Sequence, residues 1–201
     1  MALLTLVRHG QSTYNLQNRF TGNVDVPLTS WGEDEAHVAG QKLEAFHFDL
    51  AHTSTLIRAW KTLDIILGEI KQAQIPIIKN AALNERMYGS LQGLNKAETA
   101  LKYGDDQVEI WRRSYKVCPP EGESLEDTFN RTVPYYQSEI EPKLKSGQNI
   151  LIVAHGNSLR ALKMYLENIS PEDIEKINIP TGTPCNYWFD RDMKMVNVNY
   201  L

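Results

Sequence analysis

Two histidines in this chain each follow directly on a short apolar run. Leu3-Leu4-Thr5-Leu6-Val7 leads into Arg8-His9-Gly10, and Ile150-Leu151-Ile152-Val153-Ala154 leads into His155-Gly156-Asn157. One such His is ordinarily a hydrogen-bonded strand end, because His is often half buried without catalysing anything. Two in the same context, one beside the fixed cation of Arg8, point to a shared pocket and to chemistry on an anion. Arg58 adds to this. It falls in the first turn of a predicted helix, where the macrodipole disfavours a cation, so it is either a solvated surface Arg or the partner of a bound anion. Glu85, Lys96, Arg112 and Arg113 are each unremarkable alone, as solvated charges or, for the arginine pair, as complements to a helix end.

The elements that position these residues follow from the apolar pattern. Each apolar run reads as a buried parallel strand that stops where a helix begins, and in open α/β sheets ligands bind outside those carboxyl ends. After Leu3–Val7 comes a polar loop from Gln11 to Ser30, then a helix capped by Thr29 or Ser30 with Ala36, Ala39, Leu43 and Phe46 on its apolar face. A strand over Asp49–Thr53 precedes a helix that Ser54 can cap, with Leu56, Ala59, Leu63, Ile66 and Ile70 buried. A third strand spans Ile75–Lys79, with Pro76 near its start as an edge allows. Asn80 to Pro120 reads as a mostly irregular lobe with short helical pieces around Ala97 and Val108. Ser124 and Asp127 suit a capping box for a helix that Pro134 kinks. The strand Ile150–Ala154 is followed by a helix through Leu159, Leu162 and Leu166, and Ser170-Pro171-Glu172 starts another. Asn186–Phe189 and Met195–Val198 close the chain as two strands around a turn at Asp190–Asp192. The alternation predicts a three-layer α/β/α fold on a mostly parallel sheet of about six strands, as a single domain over residues 1–201.

Composition narrows the function class. With 201 residues, 42% hydrophobic and 23% charged, the chain suits one globular domain. A formal charge of −4 argues against a nucleic-acid or membrane-surface protein, so any anion site is local. Met1–Val7 is too short for a signal h-region and lacks a basic flank, and no apolar run approaches a membrane span. Cys118 and Cys185 are far apart and lack metal-ligand spacing, which suits free thiols in a reducing cytoplasm. No His/Cys/Asp cluster suggests a metal, and His37, His47 and His52 receive no role.

Taken together, Arg8-His9-Gly10, Thr21-Gly22, Arg58, Leu83-x-Glu85-x-x-Tyr88-Gly89, Asn95-Lys96, Arg112-Arg113 and His155-Gly156-Asn157 occur in the order found in the histidine phosphatase superfamily. Within it the chain most closely resembles the cofactor-dependent, that is 2,3-bisphosphoglycerate-dependent, phosphoglycerate mutases, from Leu3 to about Asp190. Asn95-Lys96 and Arg112-Arg113 favour a mutase over a plain phosphatase. The resemblance implies that His9 is the nucleophile that becomes phosphohistidine. It makes His155, Arg8, Arg58 and Asn15 stabilisers of the in-line transition state, and Glu85 the proton shuttle to the substrate hydroxyl. Tyr88, Lys96, Arg112 and Arg113 would hold the glycerate carboxylate and second phosphate. Gly10, Gln11, Ser12, Thr13, Tyr14 and Asn15, with Thr21, Gly22, Arg86, Met87, Gly156 and Asn157, would line the pocket. It also implies 2,3-bisphosphoglycerate as the primer of the phosphoenzyme, no metal, phosphoglycerates as small-molecule partners, and a homo-oligomer such as a dimer or tetramer. Two features depart from longer members: a short connection between Ser114 and Ser124, and an end at Leu201 without a closing tail. A broad phosphomonoesterase of the same superfamily is the alternative, and a phospho-ligand sensor that keeps the pocket without turnover is a third reading. The sensor has no need of a nucleophile, whereas this chain carries His9, His155 and Glu85 together.

Overall fold

The computed structural model describes all 201 residues. In chain order it places β1 (Ala2–Arg8), α1 (Thr13–Leu16), α2 (Ser30–Leu43), β2 (Leu50–Thr53), α3 (Ile57–Glu69) and β3 (Ile77–Lys79). Next come α4 (Lys96–Tyr103), α5 (Asp105–Arg113), α6 (Leu125–Tyr135), a π-helical turn over Tyr136–Ile140 and α7 (Glu141–Lys145). The chain closes with β4 (Ile150–Ala154), α8 (Gly156–Glu167), α9 (Pro171–Ile174), β5 (Cys185–Phe189) and β6 (Met195–Tyr200). The sheet has six strands in the order β3-β2-β4-β1-β5-β6. It is parallel from β3 through β1 and antiparallel at β5 and β6.

Both faces of the sheet are covered, which is why β1 and β4 read as nearly continuous apolar runs. On one face Leu3, Val7, Ala51, Leu151 and Val153 pack against Ala39 and Leu43 of α2 and Leu63, Ile66 and Leu67 of α3. On the other, Leu4, Leu6, Ile150, Ile152 and Tyr187 meet Leu159 and Leu162 of α8 with Tyr136, Ile140 and Leu144. The predicted three layers are therefore present. No helix is long and apolar enough to cross a membrane.

Several boundaries differ from the sequence reading for physical reasons. Ser54 does not cap α3, whose N-cap is Leu56 without a side-chain cap bond. Its hydroxyl oxygen accepts only from the Leu56 N–H, at 3.2 Å, just before the helix, and is also hydrogen-bonded to His155 Nε2 at 2.7 Å. Phe46 lies beyond the end of α2, and the third strand is shortened to Ile77–Lys79. The Gln11–Ser30 loop contains α1, four residues started by a capping box between Ser12 and Asn15. The lobe after Asn80 is more regular than expected: α4 and α5 form a helical hairpin with only Gly104 between them, at φ +88°. Pro134 sits inside α6, and the irregularity appears one turn later as the π-helical turn.

Candidate active site

The site begins where β1 and β4 end. In their parallel register Arg8 is paired with Ala154, so the next residue of each strand, His9 and His155, emerges side by side. The His9 backbone N–H donates to the Ala154 carbonyl at 3.0 Å. The two rings lie edge to face with centroids 4.9 Å apart. Gly10 is required here by close approach: a Cβ would stand 2.0 Å from the Gly32 carbonyl oxygen in the first turn of α2. Gly22 has φ +55°, and its carbonyl accepts from Arg58 Nη2 at 2.7 Å.

The His9 ring is anchored by the backbone beside it. Its Nδ1 is hydrogen-bonded to the Gly10 carbonyl at 2.6 Å. A carbonyl only accepts, so Nδ1 carries the proton and the Nε2 lone pair is free. Burial, then the charges of Arg58 and Arg8, hold the His9 pKa well below its usual value. His155 is likewise held neutral by burial, Arg58 and His9. Its Nε2 is paired with Ser54, while its Nδ1 is buried with no partner. Arg8 donates from Nη1 to the Ile179 carbonyl at 2.7 Å, and Arg58 donates to the carbonyls of Val24 and Gly22. The Nε atoms of Arg8 and Arg58 are also buried without partners. Buried donors are normally satisfied, so this concentration of unclaimed N–H groups around two neutral imidazoles fits an anion.

Glu85 reaches the site from the lobe. Its Oε1 accepts from the backbone N–H groups of Arg86 at 2.8 Å and of Asn157 at 3.0 Å, the latter in the first turn of α8. That leaves Oε2 free for a proton. Burial opposes ionisation of Tyr88, but the Arg86 charge and hydrogen bonds from Arg86 and Asn157 outweigh it and bring its pKa below the ordinary value.

A cavity of about 170 Å³ opens above these residues. Of the predicted site, Arg8, Asn15, Thr21, Gly22, Glu85, Tyr88, Lys96, Arg112, Arg113, Gly156 and Asn157 line it. His9, His155 and Arg58 are not part of its lining and are buried next to lining residues, at 2%, 0% and 0% exposure. Gln11, Ser12, Thr13 and Tyr14 belong to the supporting loop, where the Gln11 N–H donates to Glu35 and Ser12 caps α1. Met87 lies outside the wall, its N–H donating to Glu123. Arg86 is fully buried behind the wall, donating to the Tyr88 hydroxyl and to the carbonyls of Trp111 and Arg112. Arg19, Phe20, Arg160, Asn178 and Ile179 also line the cavity, and sequence reasoning missed them. The available signal for Arg160 was its spacing, one helical turn beyond Asn157 on the same face. No group of three or more His, Cys, Asp and Glu residues is arranged to hold a metal.

This fold, with paired strand-end histidines under an arginine-lined cavity, is that of a histidine phosphatase. The family described as "Histidine phosphatase superfamily (branch 1)" matches residues 4–198, and the chain belongs to it. Among relatives, a protein of Cytophaga hutchinsonii named 2,3-bisphosphoglycerate-dependent phosphoglycerate mutase is 58% identical over 201 residues, covering 100% of this chain and 94% of that protein. A Bradyrhizobium diazoefficiens protein of the same name is 56% identical over 192 residues, covering 94% of this chain and 93% of that protein. Among solved structures, Bacillus stearothermophilus YhfR superposes with a TM-score of 0.84 at 26% identity, covering 97% of this chain and 94% of that one. A mycobacterial glucosyl-3-phosphoglycerate phosphatase in complex with VO3 superposes with a TM-score of 0.84 at 22% identity, covering 98% and 96%, a likeness of fold.

Proposed function

We propose that this chain is a 2,3-bisphosphoglycerate-dependent phosphoglycerate mutase, interconverting 3-phosphoglycerate and 2-phosphoglycerate. The observation that carries this reading is the 58% identity across the whole chain to a relative of that name, joined to the ordered set of residues that meets at one cavity. Arg8, Arg58, Glu85 and the two histidines do the chemistry in this reading. His9 Nε2 attacks phosphorus as the ester P–O bond breaks, and the leaving oxygen takes its proton from Glu85 Oε2. Arg8, Arg58 and the Nδ1–H of His155 stabilise the charge gathered on the phosphoryl oxygens. In the reverse transfer Glu85 takes a proton from the free hydroxyl of a bound phosphoglycerate, whose oxygen attacks the phosphohistidine to give 2,3-bisphosphoglycerate and free His9; attack by His9 on the other phosphoryl group then leaves the isomeric phosphoglycerate. Tyr88, Lys96, Arg112 and Arg113 hold the carboxylate and the phosphate that is not reacting.

2,3-Bisphosphoglycerate supplies the phosphoryl group that primes His9. The unclaimed buried donors of Arg8, Arg58 and His155, with Tyr88, Lys96, Arg112 and Arg113 among the groups on the wall, suit a ligand of that charge. Metal independence follows in this reading from the same groups, which supply the positive charge a divalent ion would bring. Its setting in the cytoplasm and its use in glycolysis and gluconeogenesis accompany the reading. So does a homo-oligomeric state, dimer or tetramer.

The test is to mix purified protein with labelled 2,3-bisphosphoglycerate, map acid-labile phosphate, and follow 2-phosphoglycerate formed from 3-phosphoglycerate. Label on His9 with isomerisation supports the proposal. Release of free phosphate with no isomerisation assigns the chain to the phosphomonoesterases instead. Activity is expected to survive EDTA and to be inhibited by vanadate, whose trigonal-bipyramidal form matches the transition state. Loss on chelation, restored by Mg²⁺ or Mn²⁺, would contradict the charge assignment.

A further inference from the structure

The last turn of α5, which carries Arg112 and Arg113, is gripped by two other arginines. A helix ends with four carbonyls that have no partner within it. Here the Ile110 carbonyl accepts from the Ser114 N–H at 2.9 Å. The carbonyls of Trp111 and Arg112 accept from Arg86 Nη2 at 2.9 and 2.7 Å, and that of Arg113 accepts from Arg160 Nη2 at 3.3 Å. Arg86 and Arg160 are 0% and 3% exposed, and neither is ion-paired with a carboxylate. Burying an uncompensated guanidinium is costly, and water could have satisfied an exposed helix end. The negative end of the α5 dipole offsets part of that cost.

Arg160 does more than cap. Its Nη1 donates to Asn157 Oδ1 at 3.0 Å, and the Asn157 amide in turn reaches the Tyr88 hydroxyl from Nδ2 at 3.4 Å. Its Nε and Nη2 both donate to the Ile174 carbonyl at the end of α9, at 3.2 and 2.5 Å. One planar fork thus joins α8, which follows directly on His155, to α9 and to the end of α5. An ammonium, a point charge without a fork, cannot span three directions in this way.

We propose that Arg160 is a positioning residue that presets Arg113 for the anionic end of the substrate that is not reacting. It governs retention of the phosphoglycerate and leaves the phosphoryl site alone. This rests on the mutase reading, because it needs a ligand with a second anionic group.

The experiment is a double-mutant cycle of Arg160→Lys with Arg113→Ala, read by calorimetric binding of two probes. 3-Phosphoglycerate engages both ends of the cavity, whereas orthovanadate engages the phosphoryl site alone. Arg160→Lys is expected to weaken 3-phosphoglycerate about tenfold and orthovanadate by less than about twofold. In the Arg113→Ala background the same change is expected to cost less than about threefold, because the guanidinium it presets is then absent and only its hold on Asn157, and through it Tyr88, remains. In turnover, KM should rise more than kcat falls. Full additivity, unchanged 3-phosphoglycerate binding, or an equal loss of orthovanadate would overturn the proposal. If Arg160→Lys does not fold, Arg160→Gln carries the same cycle, and failure of both to fold makes Arg160 purely structural and overturns it too. A wild-type protein that binds orthovanadate but not 3-phosphoglycerate contradicts the mutase reading and this proposal together. Additivity in a protein that binds both contradicts this proposal alone.

Discussion

At the scale of single residues, what distinguishes His9 from any other imidazole is that its proton is placed and its charge is suppressed. The Gly10 carbonyl fixes the proton on Nδ1, and burial with Arg58 and Arg8 keeps the ring neutral. No other side chain beside the cavity offers a neutral nucleophile so directed, since His155 spends Nε2 on Ser54. His9→Ala is therefore expected to lose turnover by a factor on the order of 10³ or more, about 4 kcal/mol, in assays of 2-phosphoglycerate formation. Near-normal activity in that variant would mean that the nucleophile is another group. The pKa direction yields a second expectation. A ring whose pKa is depressed stays unprotonated as pH falls past 6.5, so kcat/KM of the free enzyme should hold from pH 7 to 6 and fail only below. An acid limb centred at 6.5 that remains after the substrate's own phosphate ionisation at about 6 is allowed for would show that His9 titrates as a solvated imidazole.

At the scale of elements, β1, β4, α8 and the capped starts at Thr29, Ser124 and Ser170 are legible in the sequence because local chemistry and the tertiary role agree there. A strand buried on both faces is mostly apolar, with a polar residue such as Thr5 tolerated only where it has a partner, and a helix start needs an acceptor for its free N–H groups. Ser54 misleads because its hydroxyl looks like a cap but serves His155, a partner 101 residues away. Asn178 reaches the cavity only through packing between distant segments, for which no local spacing exists, whereas Arg19 lies between the pocket residues Asn15 and Thr21 and could have been read from that neighbourhood. The connection after Ser114 is legible as short, and the structure shows where it goes. It is tied beside the Glu85 segment, with the Ser90 N–H donating to the Pro120 carbonyl and the Glu123 N–H to that of Met87. None of residues 115–123 lines the cavity, whereas Arg112 and Arg113 of α5 do, so the retention proposed above would fall more heavily on α5. Isomerisation requires the bisphosphorylated intermediate to stay until it has turned over, before water reaches the phosphohistidine. Arg112→Ala or Arg113→Ala should remove a charge-assisted clamp of roughly 1.5 to 3 kcal/mol and raise the ratio of hydrolysis to isomerisation about ten- to a hundredfold. Free phosphate and 2-phosphoglycerate measured in one reaction give that ratio, and no change in either variant would remove the pair from the clamp.

At the scale of the molecule, the site's demand for neutral imidazoles is one part of a wider commitment. The fold buries three histidines uncharged: His9 and His155 at the site, and His52 in the middle of β2 at 0% exposure. Burial, with the charge of Lys143, lowers the His52 pKa from 6.5 to about 4. Its Nδ1 is hydrogen-bonded to the Tyr135 hydroxyl at 2.8 Å, and its Nε2 is buried without a partner. The linkage has a definite sign. Between pH 6.5 and 4 the unfolded chain binds a proton at this position that the folded chain refuses, so stability is full above pH 6.5 and is lost as pH falls through that window. For His52 alone the loss is up to about 3 kcal/mol, because every tenfold rise in proton concentration across that window favours the unfolded chain by about 1.4 kcal/mol. His9 and His155 add to it in the same direction. Replacing either of those would alter the site, whereas His52 lies outside it and isolates the effect. His52→Leu is expected to lower stability at pH 7 little, since leucine suits the buried position and the half-buried Tyr135 hydroxyl can turn to water. The variant should lose about 3 kcal/mol less than the wild type between pH 7 and pH 4, narrowing the gap between their urea midpoints or reversing it in acid. Denaturation curves at pH 7, 5.5 and 4 for both proteins read this directly. Parallel acid losses in the two would show that His52 is protonated in the folded state and that the acid sensitivity lies elsewhere.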